Sequence, residues 1–225
     1  MANDLLVGLV DSGHASEQAS LIHAGQRFWL EDEQLRQGPL HTDSLGHGAT
    51  MISHLMAEAG TARLCLAQVF GRRGQTSAIQ VAAAIHWLIG QDVALISLSL
   101  GLRQDRPVLR QACAAAHEAG IVLCASSPAQ GEVVFPAAYP GVLRITGDAR
   151  CAAGQWSWLD SAQAEFGASV RAGNGMAGAS VACAALAGHI VGFLQREPGA
   201  GRQAVIDHLR QGASFVGPER RRVAP

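Results

Sequence analysis

Asp92-Val93-Ala94-Leu95-Ile96-Ser97-Leu98-Ser99-Leu100 is an almost unbroken apolar run interrupted only by small hydroxyl residues. A strand covered by helices on both faces of a parallel sheet has this character, whereas a half-exposed strand alternates apolar with polar. Other short apolar runs lie on either side of it, at 5–10, 63–69, 120–125 and 142–146. Amphipathic stretches with helical spacing fall at 47–59, 77–90, 106–119, 180–195 and 202–211. In 77–90, the residues Ile79, Ala82, Ala83, Ile85 and Leu88 are expected to share one buried face. Strands that alternate with helices predict an α/β domain with a mostly parallel sheet and helices on both faces. Pro128–Gly131 and Gly199–Gly201 read as turns, so residues 1–225 are expected to form a single domain. The end of the chain, 217–225 with Arg220-Arg221-Arg222, is expected to be a flexible, solvated basic tail.

Hydrophobic residues make up 48% of the 225 and charged residues 16%, which describes a chain able to bury a sizeable core. The net charge is −1, so no general affinity for nucleic acid is expected. The first apolar run, Leu5-Leu6-Val7-Gly8-Leu9-Val10, stops at Asp11 and is too short to span a membrane. It also lacks the basic lead and cleavage site of a secretory signal. The five cysteines, Cys65, Cys113, Cys124, Cys151 and Cys183, lie in apolar settings without CxxC spacing. Free buried thiols in a cytoplasmic protein are expected, and neither a metal site nor a cofactor.

Three short segments carry the chemistry. In Leu9-Val10-Asp11-Ser12-Gly13 a carboxylate ends a strand, where ligands of open α/β sheets bind. In Gly46-His47-Gly48-Ala49 a histidine flanked by glycines opens a helix. In Gly178-Ala179-Ser180-Val181-Ala182 a serine opens a long Ala-rich helix, whose positive end and backbone N–H favour a developing oxyanion. Asp, His and Ser in that order form one of the chain orders in which a nucleophile, a base and an orienting carboxylate are known to converge. Asp11 would orient His47, and His47 would take the proton of Ser180 and return it to the leaving amine. His41, His54 and His117 lack such a context and are given no role.

With these residues the chain resembles the subtilases, the subtilisin-like serine proteases, over nearly its whole length. Asp11-Ser12-Gly13 is similar to the family's D-[ST]-G, His47-Gly48-Ala49 to its H-G-T, and Gly178–Ala182 with Leu186-Ala187-Gly188 to its G-T-S-M-A…V-A-G. Leu66–Gly71 and Ile96–Gly101 resemble two of its strands, and Phe135–Val142 its Y-P-A region. A second register, Gly173-Asn174-Gly175-Met176-Ala177, would put Gly175 at the nucleophile and leave an inactive protein. The Ser180 register keeps the hydroxyl and the Ala187-Gly188 pair.

The resemblance implies a subtilisin-like three-layer fold and peptide-bond hydrolysis through an acyl-enzyme. It also implies a substrate strand laid between Ser99-Leu100-Gly101 and a wall that begins at Ala125. The family's oxyanion asparagine falls on Ala129, which leaves Ser126, Ser127 or Gln130 as replacement donors. No propeptide is expected, and calcium loops are expected to be trimmed. Within the family, the compact length, Ser126-Ser127-Pro128 and Ile145–Cys151 resemble the small protease that matures the γ subunit of quinohemoprotein amine dehydrogenase. That implies a leader-bearing peptide or small protein as substrate, in complex with its modifying enzyme. The contrasting expectation is a non-catalytic module that holds a leader peptide. Thiol titration of the denatured, unreduced protein should count five free thiols; a lower count would place a disulfide among them and argue for an oxidising compartment.

Overall fold

The computed structural model describes residues 5–173 and 175–219. In chain order the strands are β1 (Leu6–Asp11), β2 (Ile22–Glu31), β3 (Gln34–Gly38), β4 (Arg63–Gln68), β5 (Leu95–Leu98), β6 (Val122–Ser126), β7 (Val142–Gly147), β8 (Trp156–Trp158), β9 (Phe166–Ala168) and β10 (Phe215–Val216). The α-helices are α1 (His47–Met56), α2 (Ala78–Ile89), α3 (Pro107–Glu118), α4 (Ala179–Arg196) and α5 (Arg202–Gln211). All strands join one sheet of order β10-β8-β9-β7-β6-β5-β1-β4-β2-β3. The pairs β2–β3 and β8–β9 are antiparallel, and the central strands are parallel.

Alternation along the central strands divides the core into two layers. Val7 and Leu9 of β1, with Leu64 and Leu66 of β4, face Met51, Ile52 and Leu55 of α1 and Leu186 and Ile190 of α4. Val10, Cys65, Ala67, Ile96 and Leu98 face the opposite way, toward Val81, Ile85 and Leu88 of α2 and Leu109 and Ala112 of α3. The result is helix–sheet–helix, the architecture expected for a buried parallel sheet.

The buried side of α2 is rotated from the sequence expectation. Val81, Ala84, Ile85 and Leu88 are buried with Ala82, while Ile79 is 48% exposed and Ala83 only half-buried. Gln80 takes part of the inner face because its side-chain amide donates to the Phe28 and Val69 carbonyls. The β2–β3 hairpin and the short strands β8, β9 and β10 lack the apolar runs that mark the central strands. They lie toward the sheet's edges: Phe28 is the buried residue of β2–β3, while β9 is buried throughout but only three residues long, too short to show a run. At the chain's end, Gly217 is attached: its N–H donates to the Trp158 carbonyl and its own carbonyl accepts from Arg150. The rest of the expected basic tail, residues 220–225, lies outside the described residues.

The chain proceeds from β4, on one side of β1, to β5 on the other. The C-terminal end of β1 is therefore a switch point, where the flanking loops part and leave a crevice. Asp11 is the last residue of β1. On one face of the sheet, α1 and α4 cross closely: a Cβ on Gly188 would lie 2.3 Å from the Leu55 carbonyl oxygen. Gly188→Val should therefore destabilise the fold by about 1–3 kcal/mol through overpacking, or roughly 2–4 °C in melting temperature per kcal/mol for a chain of this size. Thermal unfolding checks this; an unchanged midpoint would contradict so close a crossing.

Candidate active site

Asp11 is fully buried at the end of β1. Its Oδ1 accepts a 2.7 Å hydrogen bond from His47 Nδ1 and another of 2.7 Å from the Ser12 amide. Ser12 ties the turn after β1 to the start of α1: its Oγ accepts from the Gly48 amide at 2.8 Å and donates to Asp43 Oδ1 at 2.9 Å. A Cβ on Gly48 would lie 2.2 Å from the Gly13 carbonyl oxygen, so only glycine lets α1 settle this close. This contact brings the imidazole of His47, the first residue of α1, onto the carboxylate.

Asp43 is a residue the sequence reading passed over. Besides Ser12, it accepts from the amides of Leu45 and Gly46 through Oδ1 and of Ala49 through Oδ2. It serves the free N–H groups at the start of α1 and brings negative charge to the positive end of that helix. An acid just ahead of a Gly-His-Gly helix start is the signal that could have found it.

The side chain of His47 is 28% exposed. Its hydrogen bond to Asp11 raises its pKa above the usual 6.5; burial opposes this, and the charges of Asp11 and Asp43 add to the rise. Protonated His47 thus stabilises the fold in full below pH 6.5, and that contribution fades as pH rises through the folded-state pKa.

Ser180 lies in the first turn of α4, after Gly178. Its hydroxyl donates to the Ser99 carbonyl at 3.2 Å, and Ser99 Oγ donates back to the Ser180 carbonyl at 3.3 Å. No hydrogen bond joins Ser180 to His47 among the described residues. The serine is thus held against the end of β5, and its hydroxyl would have to rotate off Ser99 to reach His47. Gly175, the alternative register, sits in the turn ahead of α4 with φ of 85°, a left-handed conformation that suits glycine.

The replacement oxyanion donors divide sharply. Ser126 Oγ donates to the Leu100 carbonyl at 3.4 Å and Ser127 Oγ to the Gln163 carbonyl at 2.7 Å, so both hydroxyls are engaged in holding the loop. Gln163 also donates to the Gly131 carbonyl and so fastens the 127–131 segment from outside. Gln130 is exposed, and its side chain makes no hydrogen bond among the described residues. Ala125 and Leu100, in the expected substrate walls, turn their side chains into the core against α2 and α3, so a substrate strand laid there would meet them through backbone. Ser99 is buried against Ser180, and Gly101 is the exposed member of its wall, with Val134 packed over its α-carbon.

The thiols are inert. Cys65, Cys113, Cys124, Cys151 and Cys183 are unpaired and buried, and burial pushes Cys65 and Cys151 up to about 11 and Cys113 and Cys183 up to about 12. Among the described residues, no three His, Cys, Asp or Glu side chains gather where a metal ion could be held. For the imidazole, the expected result is clear-cut: Asp11→Asn removes the main upward influence while burial remains. The His47 ring titration followed by NMR should then fall from above 6.5 toward or below it, and an unmoved midpoint would mean that Asp11 does not control the ring.

The sequence model of the subtilase family matches residues 2–218. A thermostable alkaline protease of Halalkalibacterium halodurans is 29% identical over 154 residues, covering 64% of this chain and 41% of that protein. The subtilisin-like protease het-Q2 of Podospora anserina is 34% identical over 152 residues, 61% of this chain and 40% of the other. Subtilisin DY of Bacillus licheniformis is 25% identical over 154 residues, 62% and 54%. The matches thus span about half or less of these relatives' length. Among solved structures, a lanthipeptide protease superimposes with a TM-score of 0.71 at 15% identity, covering 95% of this chain and 81% of its own. A psychrophilic protease, S41, gives 0.70 at 16%, covering 92% and 82%. A family match over nearly the whole chain, on a fold shared with subtilisin-like proteases, makes this chain a member of the subtilase family.

Proposed function

We propose that this chain is a serine endopeptidase in which Ser180 is the nucleophile, His47 the general base and acid, and Asp11 the group that orients and charges His47. The observation that carries the reading is the 2.7 Å bond from His47 Nδ1 to a fully buried carboxylate. That bond leaves Nε2 as the basic nitrogen of the neutral ring, as the reaction requires. Substrate binding turns the Ser180 hydroxyl from Ser99 to His47; such bonds commonly tighten only when substrate is present. His47 takes the hydroxyl proton as Ser180 Oγ attacks the scissile carbonyl carbon. The collapsing tetrahedral intermediate expels the amine, which leaves with that proton, and water then releases the acyl group by the same route.

The intermediate's negative oxygen meets the amides at the start of α4, which have no partner within the helix. The amide of Gln130 is the side-chain donor left uncommitted by the loop. A single exposed donor gives partial stabilisation, so much of the rate must come from holding an extended substrate in place. This favours one specific precursor over generic peptides. The resemblance to the small γ-subunit maturation protease makes that precursor a leader-bearing peptide or small protein, met in the cytoplasm in complex with its modifying enzyme.

A second reading, a non-catalytic module that holds a leader peptide, is favoured by one observation: Ser180 is bonded to Ser99 and not to His47. A fluorophosphonate probe separates the two. It should label the folded protein and fail on Ser180→Ala; no labelling of the wild type would favour the binding module. For the oxyanion, Gln130→Ala should lower turnover by roughly 100-fold. Ser126→Ala and Ser127→Ala should act mainly through stability, because their hydroxyls serve backbone carbonyls. Fast, indiscriminate cleavage of casein, or an unchanged rate when all three are replaced by Ala, would defeat the reading.

A further inference from the structure

Beside the catalytic residues, on the β4 side of β1, lies a cavity of about 710 Å³. Its lining includes Arg27, His41 and Arg72, the hydroxyl residues Thr42 and Ser44, and no carboxylate. The cluster is local, because the chain as a whole carries a net charge of −1. Asp43, on the same loop, turns its carboxylate to Ser12 and the start of α1 and does not line the cavity.

The arginine at the back is held in position. The guanidinium of Arg27 lies 4.5 Å from the Trp29 ring centre, and its Nη1 is 3.0 Å from His41 Nδ1. Nε and Nη2 of Arg27 remain without a hydrogen bond among the described residues. Arg72 is exposed at the rim. Two guanidinium groups with free N–H donors suit a carboxylate, which can accept from both.

The cavity is mechanically continuous with the catalytic turn. Gln68, only 3% exposed, forms part of the lining. Its Oε1 accepts from the His41 amide at 2.8 Å, and its Nε2 donates to the carbonyls of His41 at 3.1 Å and Ser12 at 2.6 Å. One buried amide thus locks the basic loop to the residue that follows Asp11. Ser44, on the lining, lies on the segment that leads directly into His47. Ser44 stands three residues before His47, and an extended chain advances about 3.3 Å per residue, so the side chain to look for is one within a few residues of the scissile bond.

We infer that the cavity of Arg27, His41 and Arg72 is a subsite for a glutamate or aspartate of the polypeptide cleaved at Ser180; this rests on the protease reading above. The carboxylate sits between the two guanidinium groups and sets where the chain is cut. The test is a cleavage profile on a mixed peptide library read by mass spectrometry. Wild type should show Asp and Glu enriched at one fixed position relative to the cut. Arg72→Gln should weaken that enrichment roughly fivefold, the upper range for an exposed ion pair. Arg27→Gln with Arg72→Gln should abolish it, and Arg72→Glu should favour Lys or Arg at the same position. Cleavage without acidic enrichment, or enrichment unchanged in the variants, overturns the subsite and leaves the protease reading standing.

If no peptide is cut, the protease reading fails, and the cavity is tested by binding alone. A fluorescein-labelled hexaglutamate should then bind wild type more tightly than Arg72→Gln, and more tightly than hexaglutamine binds wild type. Equal binding in either comparison overturns the cavity's preference for carboxylates.

Discussion

The amide of Gly48 donates to Ser12 Oγ at 2.8 Å, and the bare α-carbon of Gly48 rests against Gly13 with no room for a side chain. On this contact depends the meeting of a helix start with a strand end. The helix brings His47 and the strand brings Asp11, and neither side chain has the length to compensate if the backbones stand further apart. Asp43 and Ser12 then complete the joint by satisfying amides that a helix start leaves free. Asp11 and Ser12 are buried, Asp43 and His47 half-buried, and their hydrogen bonds to one another and to nearby amides hold one geometry; removing a buried member would leave its partner unpaired at a cost of about 1–3 kcal/mol.

The same economy is seen around Ser180. A pair of serines, Ser99 and Ser180, exchange hydroxyl-to-carbonyl bonds and so dock the start of α4 on the end of β5. Ser126 and Ser127 do the equivalent for the loop after β6. Hydroxyls that read in the sequence as possible donors to a substrate are structural fasteners in the fold. In the proposed protease, this division would leave the amides of α4 and the exposed Gln130 to meet a developing charge, and the basic cavity that includes Ser44 would supply a contact that places the substrate.

The central strands were legible from sequence because burial on both faces demands an unbroken apolar run, and 93–100 and 5–10 have nothing else to offer. The helices α1 to α5 were legible because their apolar spacing repeats with the helical turn. The β2–β3 hairpin was not, since its residues alternate weakly and only Phe28 is buried along it. The face of α2 was misjudged for a related reason: an apolar Ile79 stays in solvent while polar Gln80 turns inward to two carbonyls, and no periodicity rule anticipates a buried amide with waiting acceptors.

By itself the sequence determined the α/β class, the order of the three candidate catalytic segments and the residue types in them. These follow from local rules: a strand that ends on a carboxylate, a glycine-flanked histidine, a serine ahead of an Ala-rich helix. Only the tertiary structure decided which hydroxyls are free, that Asp43 and Gln68 hold the site together, and that Arg27, His41 and Arg72 share one cavity. Those depend on residues far apart in the chain, such as Ser12 with Asp43, Ser127 with Gln163 and Arg27 with Arg72. Hydrogen-bond partners and charge clusters of that kind are set by how the strands and loops assemble, and no local pattern encodes them.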